Sequence, residues 1–348
     1  MIQLKQGDKI AIVSLSRGIL REESCHHQLE LGMKRLKEFS LEPVVMPHAL
    51  DGIKILPKNP ERRAADLIHA FKDPDIKGIL CAIGGDDTFK LTPYIFDESA
   101  KQIIQDNPKL FLGYSDSTIN HLMLYQLGVP SFYGMSFFTC FSELGREMLP
   151  YSKASFEHLF SDQPFIYQSS PVWNEERTDF NSNKVGTKRV SHNELVGYKQ
   201  LQGSKIFAGH LLGGCVESLF ELITGNRYIE EKEIYEQYQL MPRRNEWESA
   251  VIFLETSEEK PKPEHFKKMI VTLLNYGIFE KTAGVLLGKA QDEVFNDEYG
   301  EILKEVLPDE LSIVTNLNVG HAYPKIIMQY GAITHVDMIK KTIKIDRL

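Results

Sequence analysis

The segment GYSDST, residues 113–118, has the composition of a turn that exposes a nucleophilic serine. In the nucleophile-elbow pattern G-x-S-x-G, small residues flank the serine, so that the chain can turn sharply from a strand into a helix and expose the hydroxyl. The match here is Gly113-Tyr114-Ser115-Asp116-Ser117, in which a serine replaces the last glycine. The alternative is that Ser115 or Asp116 only caps the helix that follows.

A serine nucleophile needs a base, a group that orients the base, and donors for the oxyanion. His321 in NVGHAYP follows a strand-like run and a glycine, and Glu255 ends the apolar run of AVIFLET. The backbone N–H groups of Asp116 and Gly85 are the predicted oxyanion donors, because Gly84 and Gly85 allow a close approach of the backbone. Taken singly, the histidine and the glutamate could equally be structural residues. An imidazole base predicts loss of activity on acidification through a pKa near ~6.5.

Alternating apolar and helical patterns in the first 140 residues predict a parallel sheet covered by helices. Helical spacing marks residues 21–39 and 59–73, the second with Asn59 as N-cap before Pro60. The predicted strands are 9–16, 43–47, 78–85, 109–115 and 130–134. Functional sites of such sheets lie at the carboxyl ends of the strands, which is where IGGDDT and GYSDST stand.

The second half of the chain predicts another α/β unit. Residues 163–205 are polar and turn-rich, which indicates a linker with irregular or hairpin structure. A glycine-rich turn into a helix is predicted in residues 209–225. The elements predicted after it are a strand in SAVIFLET, a helix that stops at Gly277, and a strand in AGVLLG. The tail alternates apolar and polar residues. The predicted organisation is therefore an N-terminal nucleophile domain (1–165), a linker and substrate loop (166–205), and a C-terminal domain with β-rich portions (206–348).

Composition excludes several classes of partner. The formal net charge of −8 argues against nucleic acid and anionic membranes, which need a basic surface. Four scattered cysteines with no CxxC pair indicate reduced thiols rather than a zinc site or disulfides. No segment reaches the ~18 apolar residues of a membrane helix. These features predict a cytoplasmic protein that needs no metal or cofactor.

Together these stretches resemble the family of LD-carboxypeptidases and microcin C resistance (MccF-like) serine peptidases. The matching segments, in order, are GDKIAIVSLSRG, AIGGDDTFKLTPYI, PKLFLGYSDSTINHLMLYQLGVPSFYG, GHLLGGCVESLFELITG, AVIFLET, GVLLGKAQDE and GHAYP. The resemblance implies a Ser-His-Glu triad, with Ser115 as nucleophile, His321 as base and Glu255 as the orienting carboxylate. It also implies a homodimer and a small peptide or peptide-nucleotide substrate.

The chain departs from the family pattern at Asp86-Asp87, after the first glycine pair, and at Cys215, where asparagine is usual. MccF-like members carry a Gly-Trp that stacks on a nucleobase, and Gly197-Tyr198 stands in the corresponding context here. We therefore expect Tyr198 or Trp173 to present an aromatic face to the substrate, with Gly84 and Asp86 also in contact. This favours cleavage of aminoacyl-nucleotide conjugates, and the alternative is a carboxypeptidase that acts on murein tetrapeptide.

Two interpretations from other classes stay open at this stage. CAIGGDDT also resembles the Gly-Gly-Asp-Gly-Thr turn of lipid and NAD kinases, although Asp87 stands where that motif needs its third glycine. A non-enzymatic protein that binds small ligands is the other. Inactivation by a serine-directed phosphonate would separate a hydrolase from both.

Overall fold

The computed structural model describes residues 2–348. The N-terminal part alternates short strands with helices. Its strands are β1 Lys9–Val13, β2 Glu42–Val45, β3 Ile76–Cys81, β4 Leu110–Gly113 and β5 Phe132–Tyr133. Its helices are α1 His26–Glu38, α2 Pro60–Lys72, α3 Thr92–Ile95, α4 Glu98–Asp106, α5 Thr118–Gln126 and α6 Pro150–Glu157.

These five strands pair in parallel in the order β5-β4-β3-β1-β2. All four residues of β4 are buried, because helices cover both faces of the sheet and favour a continuous apolar run. The predicted parallel sheet of the N-terminal part is therefore confirmed. One local expectation is wrong: Pro60 begins α2, but the Asn59 side chain makes no cap bond and instead donates to the Ile55 carbonyl.

The remainder of the chain is richer in strands. They are β6 Phe165–Tyr167, β7 Val172–Asn174, β8 Ser191–Asn193, β9 Lys199–Gln202, β10 Ile206–Cys215, β11 Val251–Glu255, β12 Gly284–Gly288, β13 Ser312–Leu317, β14 Met328–Gln329, β15 Ile333–Asp337 and β16 Thr342–Ile345. The helices are α7 Val216–Thr224, α8 Ile229–Tyr238, α9 Pro263–Tyr276 and α10 Asn296–Val306.

Eight of these strands form one mixed sheet, in the order β6-β16-β15-β10-β11-β12-β13-β9. The long strand β10 joins its two halves: residues 206–210 pair antiparallel with β15, and residues 211–215 pair in parallel with β11. Since β11, β12 and β13 are parallel, their carboxyl ends lie at one edge of the sheet. Glu255 is the last residue of β11 and therefore reaches this edge.

The glycine-rich segment before α7 is a strand rather than the predicted turn. Gly213 and Gly214 have φ of +135° and +142°, and both lie against neighbouring chain. A Cβ on Gly213 would lie 1.8 Å from the Phe253 carbonyl oxygen, and one on Gly214 would lie 2.4 Å from the Thr118 side chain. The glycines are thus required for close packing against β11 and α5, and the chain does not reverse there.

Strand pairing crosses the predicted domain boundaries. The predicted linker supplies β9 and part of β6 to the edges of the eight-stranded sheet, and the hairpin β7–β8. The short strand β14, from the C-terminal part of the chain, belongs to the first sheet, where it pairs antiparallel with β5 opposite Tyr133. Each sheet therefore contains chain from the other half of the sequence. No helix among residues 2–348 has the length and hydropathy to cross a bilayer.

Candidate active site

Ser115 lies at the turn between β4 and α5. Its φ is +65°, a left-handed conformation that is strained for a residue with a side chain and is common in nucleophile elbows. A single 3₁₀ turn, Ser115–Ser117, connects it to α5, and neither Ser115 nor Asp116 makes a side-chain cap bond to that helix. The Ser115 Oγ instead lies 3.1 Å from Nε2 of His321. This geometry argues against the helix-cap interpretation.

His321 and Glu255 complete a chain of hydrogen bonds with Ser115. The His321 Nδ1 lies 2.7 Å from Oε2 of Glu255, whose carboxylate is fully buried at the end of β11. His321 is on the loop after β13, which approaches β11 closely: a Cβ on Gly320, with φ +90°, would lie 2.5 Å from the Glu255 side chain. Glycine before the histidine therefore allows the loop to bring the imidazole to the carboxylate.

Tyr133 is a member of this network that the sequence did not reveal. Its hydroxyl donates to Oε1 of Glu255 at 2.6 Å and accepts a hydrogen bond from the Ser115 amide at 3.1 Å. The tyrosine is fully buried in β5, next to β4. It thus satisfies the second carboxylate oxygen and fixes the backbone of the elbow. Its run, PSFYG, has the pattern of an ordinary buried strand.

The glycine pair after β3 lies against the elbow. A Cβ on Gly84 would be 2.9 Å from the Ser115 Oγ and 3.4 Å from the Asp116 amide nitrogen. Among the described residues, no acceptor bonds the amides of Gly85 or Asp116. The buried Asp116 side chain accepts from the Thr88 amide, which anchors the turn. Both amides are therefore available as hydrogen-bond donors.

The two aspartates after the glycine pair have separate contacts. Asp87 is buried and pairs with the buried Arg63 at 2.6 Å, and it also accepts from Ser16. Asp86 is exposed, accepts from the Tyr228 hydroxyl, and does not line the cavity at Ser115. The structure therefore gives the predicted substrate contact at Asp86 no support. The contacts of Asp87 hold the turn in place. Because they occupy the Asp87 carboxylate, Asp87 is not available to assist phosphoryl transfer, as the kinase interpretation requires.

A second carboxylate contacts His321, and sequence reasoning missed it. Oε2 of Glu258 lies 3.0 Å from the His321 Nε2, the nitrogen that faces Ser115. Burial alone lowers the pKa of the imidazole, but Glu255 and Glu258 raise that pKa to about 10. The hydrogen bond from His321 lowers the pKa of Glu258 to about 2. The two carboxylates therefore favour the protonated form of the imidazole.

Lys325, also missed, holds the loop that carries His321. Its ammonium donates to the carbonyls of Gly320 and Ala322, the residues on either side of the histidine. It also lies 3.9 Å from the ring centroid of Tyr323 and 4.9 Å from that of Tyr114. Lys325 is fully buried, and this burial lowers its pKa to about 8. It connects the histidine loop to the residue before the nucleophile.

A cavity of about 480 Å³ opens over Ser115 and His321. One wall comes from residues 138–144 and another from residues 176–189 of the predicted substrate loop. Arg177 and Arg189 lie 2.6 and 2.7 Å from opposite oxygens of Glu143, so ion pairs hold these walls together. Phe180 lines the cavity with 43% of its surface exposed. The polar segment therefore does reach the site, as expected.

The aromatic residues expected to face the substrate lie elsewhere. Tyr198 is 1% exposed and belongs to the hydrophobic core, and it does not line this cavity. Trp173 stacks on His192, with ring centroids 4.2 Å apart, and is likewise outside the cavity lining. The structure therefore gives the predicted substrate contacts no support, because Trp173 in β7 packs on His192 and Tyr198, just before β9, packs into the core. No signal in the sequence distinguished Phe180 from them.

Cys215, where the chain departs from the family pattern, makes contacts that indicate a structural role. Cys215 is buried, its amide donates to the Thr118 hydroxyl oxygen, and its thiol donates to Glu217. Among residues 2–348, no group of three or more His, Cys, Asp or Glu side chains has an arrangement suited to a metal ion.

Comparison with known proteins identifies the family. Residues 10–134 match the family described as LD-carboxypeptidase N-terminal domain, and residues 208–336 match the LD-carboxypeptidase C-terminal domain. The chain is 25% identical to the microcin C7 self-immunity protein MccF of Escherichia coli, over 82% of this chain and 78% of that protein. It is 27% identical to a probable murein peptide carboxypeptidase of Bacillus subtilis, over 82% and 76% of the two chains.

A solved structure extends the likeness. The MccF-like protein from Streptococcus pneumoniae, in complex with AMP, is 47% identical and superimposes with a TM-score of 0.94, over 98% of this chain and 99% of that chain. With both domain matches in order on a mixed α/β fold, the chain belongs to the LD-carboxypeptidase family of serine peptidases, which includes MccF-like proteins.

Proposed function

We propose that this protein hydrolyses an amide bond of a small acyl conjugate with Ser115, His321 and Glu255 as a catalytic triad. Ser115 attacks the scissile carbonyl while His321 takes its proton, and the amides of Gly85 and Asp116 stabilise the oxyanion. The same imidazole then gives the proton to the leaving amine and activates the water that releases the acyl group. The observation that carries this proposal is the unbroken Ser115–His321–Glu255 chain of contacts beneath the cavity.

For the substrate, we infer an aminoacyl-nucleotide or a similar peptide-nucleotide conjugate. The solved MccF-like protein with 47% identity was crystallised with AMP, which makes a nucleotide leaving group a reasonable choice. The half-exposed ring of Phe180 on the cavity wall offers a flat apolar surface of the kind on which bases stack. Gly84 lines the same cavity and lies against Ser115, where a larger residue would clash with the serine.

Murein tetrapeptide is the second candidate substrate. A probable murein peptide carboxypeptidase of Bacillus subtilis is 27% identical to the chain, close to the value for MccF. The two substrates share the acyl-transfer chemistry and differ in the leaving group, which is a nucleotide conjugate in one case and an amino acid in the other.

The proposal is tested by incubating the purified protein with an aminoacyl sulfamoyl adenosine and, separately, with murein tetrapeptide. The products are identified by mass spectrometry. Ser115→Ala should lower turnover by ~10⁶-fold while leaving the fold intact. Ser117→Ala is the matched control, since Ser117 is two residues away and is buried outside the cavity. If Ser115→Ala keeps a tenth of the wild-type rate, the triad proposal fails.

We further propose that the protein is a homodimer that acts in the cytoplasm on small molecules without a metal or cofactor. Light scattering of the purified protein tests the dimer, and full activity after exhaustive dialysis against a chelator tests the absence of a metal requirement.

A further inference from the structure

Glu258 lies next to the reacting atoms but has no part in the triad proposed above. It follows Glu255 by three residues, in the loop after β11, and its Oε2 contacts the His321 Nε2 at 3.0 Å. The Ser115 Oγ is 3.1 Å from the same nitrogen, and Glu255 holds the other nitrogen at 2.7 Å. The imidazole thus has a carboxylate at each of its nitrogens.

The loop that carries Glu258 is anchored on both sides of it. The amide and hydroxyl of Ser257 both donate to Oε1 of the buried Glu217, at 2.9 and 2.7 Å. Lys260 pairs with Asp292 at 2.6 Å, and the other oxygen of Asp292 accepts from the Glu176 amide. The Glu258 side chain nevertheless remains 63% exposed. Its backbone is therefore anchored, while its carboxylate is accessible from the cavity.

The other carboxylates that line the cavity already have partners, whereas the exposed Arg17 in the same lining forms no ion pair within residues 2–348. Glu143 is neutralised by Arg177 and Arg189, and Arg189 also pairs with Glu176 at 2.9 Å. Glu22 accepts a hydrogen bond from the Ile53 amide. Within residues 2–348, the only ion-pair partner of Glu258 is His321 itself. A cation that enters the cavity beside Ser115 would therefore compete with the imidazole for this carboxylate.

The contact with Glu258 holds His321 in a state that cannot act as a base. An imidazole that donates from Nδ1 to Glu255 and from Nε2 to Glu258 is doubly protonated, so Nε2 has no lone pair to accept the Ser115 proton. Glu255, Glu258, the Ser115 hydroxyl and the Tyr114 ring face the imidazole, and the Lys325 ammonium lies behind its loop. The two carboxylates raise the pKa of the imidazole against burial and so oppose its deprotonation.

We propose that Glu258 recognises an α-ammonium group next to the scissile carbonyl and that this pairing frees His321 to act as the base. The inference rests on the proposed amide hydrolysis. When the ammonium binds the Glu258 carboxylate, Glu258 leaves Nε2 and the imidazolium gives its Nε2 proton to water. The neutral nitrogen then accepts the proton of Ser115 as the hydroxyl attacks. The protein is thus selective for conjugates with a free amino group on the acyl part.

Labelling by a fluorophosphonate tests the effect of Glu258 on the base without any substrate. The rate of inactivation is measured against pH for the wild-type protein, Glu258→Gln, and the control Glu259→Gln, whose residue is 67% exposed and only loosely paired with Arg227. Glu258→Gln should lower the midpoint of the profile by about one unit or more, because one charge next to the imidazole is removed. Glu259→Gln should keep the wild-type midpoint. An unchanged midpoint in Glu258→Gln overturns the role of Glu258.

Two substrates that differ only at the α-amine test recognition. An aminoacyl sulfamoyl adenosine and its N-acetyl derivative are compared by kcat/KM. The wild-type protein and Glu259→Gln should prefer the free amine by about tenfold or more, since a charge-paired contact is worth that much, and Glu258→Gln should reduce the preference to about threefold or less.

The outcomes of the two experiments are distinguishable. If the wild-type protein is not labelled at any pH, the proposed hydrolase function fails, and the role of Glu258 fails with it. If the protein is labelled but cleaves both substrates equally, or cleaves neither, recognition of the ammonium by Glu258 is wrong while the nucleophile stands.

Discussion

At the scale of single residues, the contacts of Glu255 predict how the triad members differ in importance. In the proposed mechanism, Glu255 orients an imidazole that remains able to accept a proton without it, whereas His321 acts as the base itself. Glu255→Gln should therefore reduce kcat by ~10⁴-fold, and His321→Ala by ~10⁶-fold. Steady-state kinetics of both variants, with circular dichroism to verify folding, tests this order. Small and equal losses would indicate structural roles for both residues.

Tyr133 provides a further test at the same scale. Tyr133→Phe removes the hydrogen bond to the buried Glu255 and the acceptor of the Ser115 amide. We expect kcat to fall by about tenfold or more, because an unsatisfied carboxylate oxygen costs about 1–3 kcal/mol and displaces the base. KM should change little, since Tyr133 does not line the cavity. A rise in KM with unchanged kcat would contradict this positioning role.

The pH dependence of activity follows from the charges around His321. Its pKa is raised to about 10, so activity that needs the neutral imidazole is present above this pKa and is lost as pH falls through it. We therefore expect the kcat/KM profile, which reports the free enzyme, to have its midpoint well above the ~6.5 predicted from the sequence. The kcat profile should have a lower midpoint, if bound substrate removes Glu258 from Nε2. A kcat/KM midpoint at or below ~6.5 would contradict this account.

At the scale of structural elements, the segment 176–189 forms a wall of the cavity and carries Phe180. Phe180→Ala should weaken cleavage of an aminoacyl-nucleotide substrate by ~1–3 kcal/mol in kcat/KM, if a base stacks there, and leave any cleavage of murein tetrapeptide unchanged. Val185→Ala is the control, since Val185 is 46% exposed in the same segment and outside the cavity. Equal effects of Phe180→Ala on both substrates would remove the argument for stacking.

The loop that carries His321 depends on Lys325 for its position. Lys325→Met removes the donors to the carbonyls of Gly320 and Ala322 and keeps most of the side-chain volume. We expect kcat to fall by ~10- to 100-fold with a small change in KM, because a displacement of the base by about 1 Å can cost that much. Lys340→Met, at a residue whose side chain is 77% exposed, is the control. The phosphonate labelling rate should fall in parallel with kcat, and unchanged labelling would contradict the positioning role.

At the scale of the whole molecule, each sheet contains strands from both halves of the chain. The C-terminal segment makes further contacts between these halves. Arg347 donates to the carbonyls of Ile2 and His158, and its guanidinium lies 4.6 Å from the ring centroid of Phe165. Arg347→Ala should lower the free energy of unfolding by about 1–3 kcal/mol, as expected for hydrogen bonds from a charged group. Urea unfolding measures this loss. The kcat should stay at the wild-type value, because Arg347 lies outside the cavity, and a parallel loss of kcat would contradict this separation.

The sequence alone determined the features that depend on neighbours in the chain. The buried run of β4, the small residues around Ser115 and the strand that ends at Glu255 follow from local composition, so the parallel sheet and the elbow were predictable. The resemblance of the motifs then predicted the peptidase family, which replaces the kinase and binding-protein interpretations.

Only the tertiary structure decided which side chains meet at the site. Tyr133, Glu258 and Lys325 reach the triad because β14 pairs with β5 and two loops converge on His321, and no local pattern encodes such contacts. For the same reason the sequence did not show that Tyr198 and Trp173 lie outside the cavity. A side chain in a polar, irregular segment has no periodicity to show which way it faces, so its burial is settled by the rest of the fold.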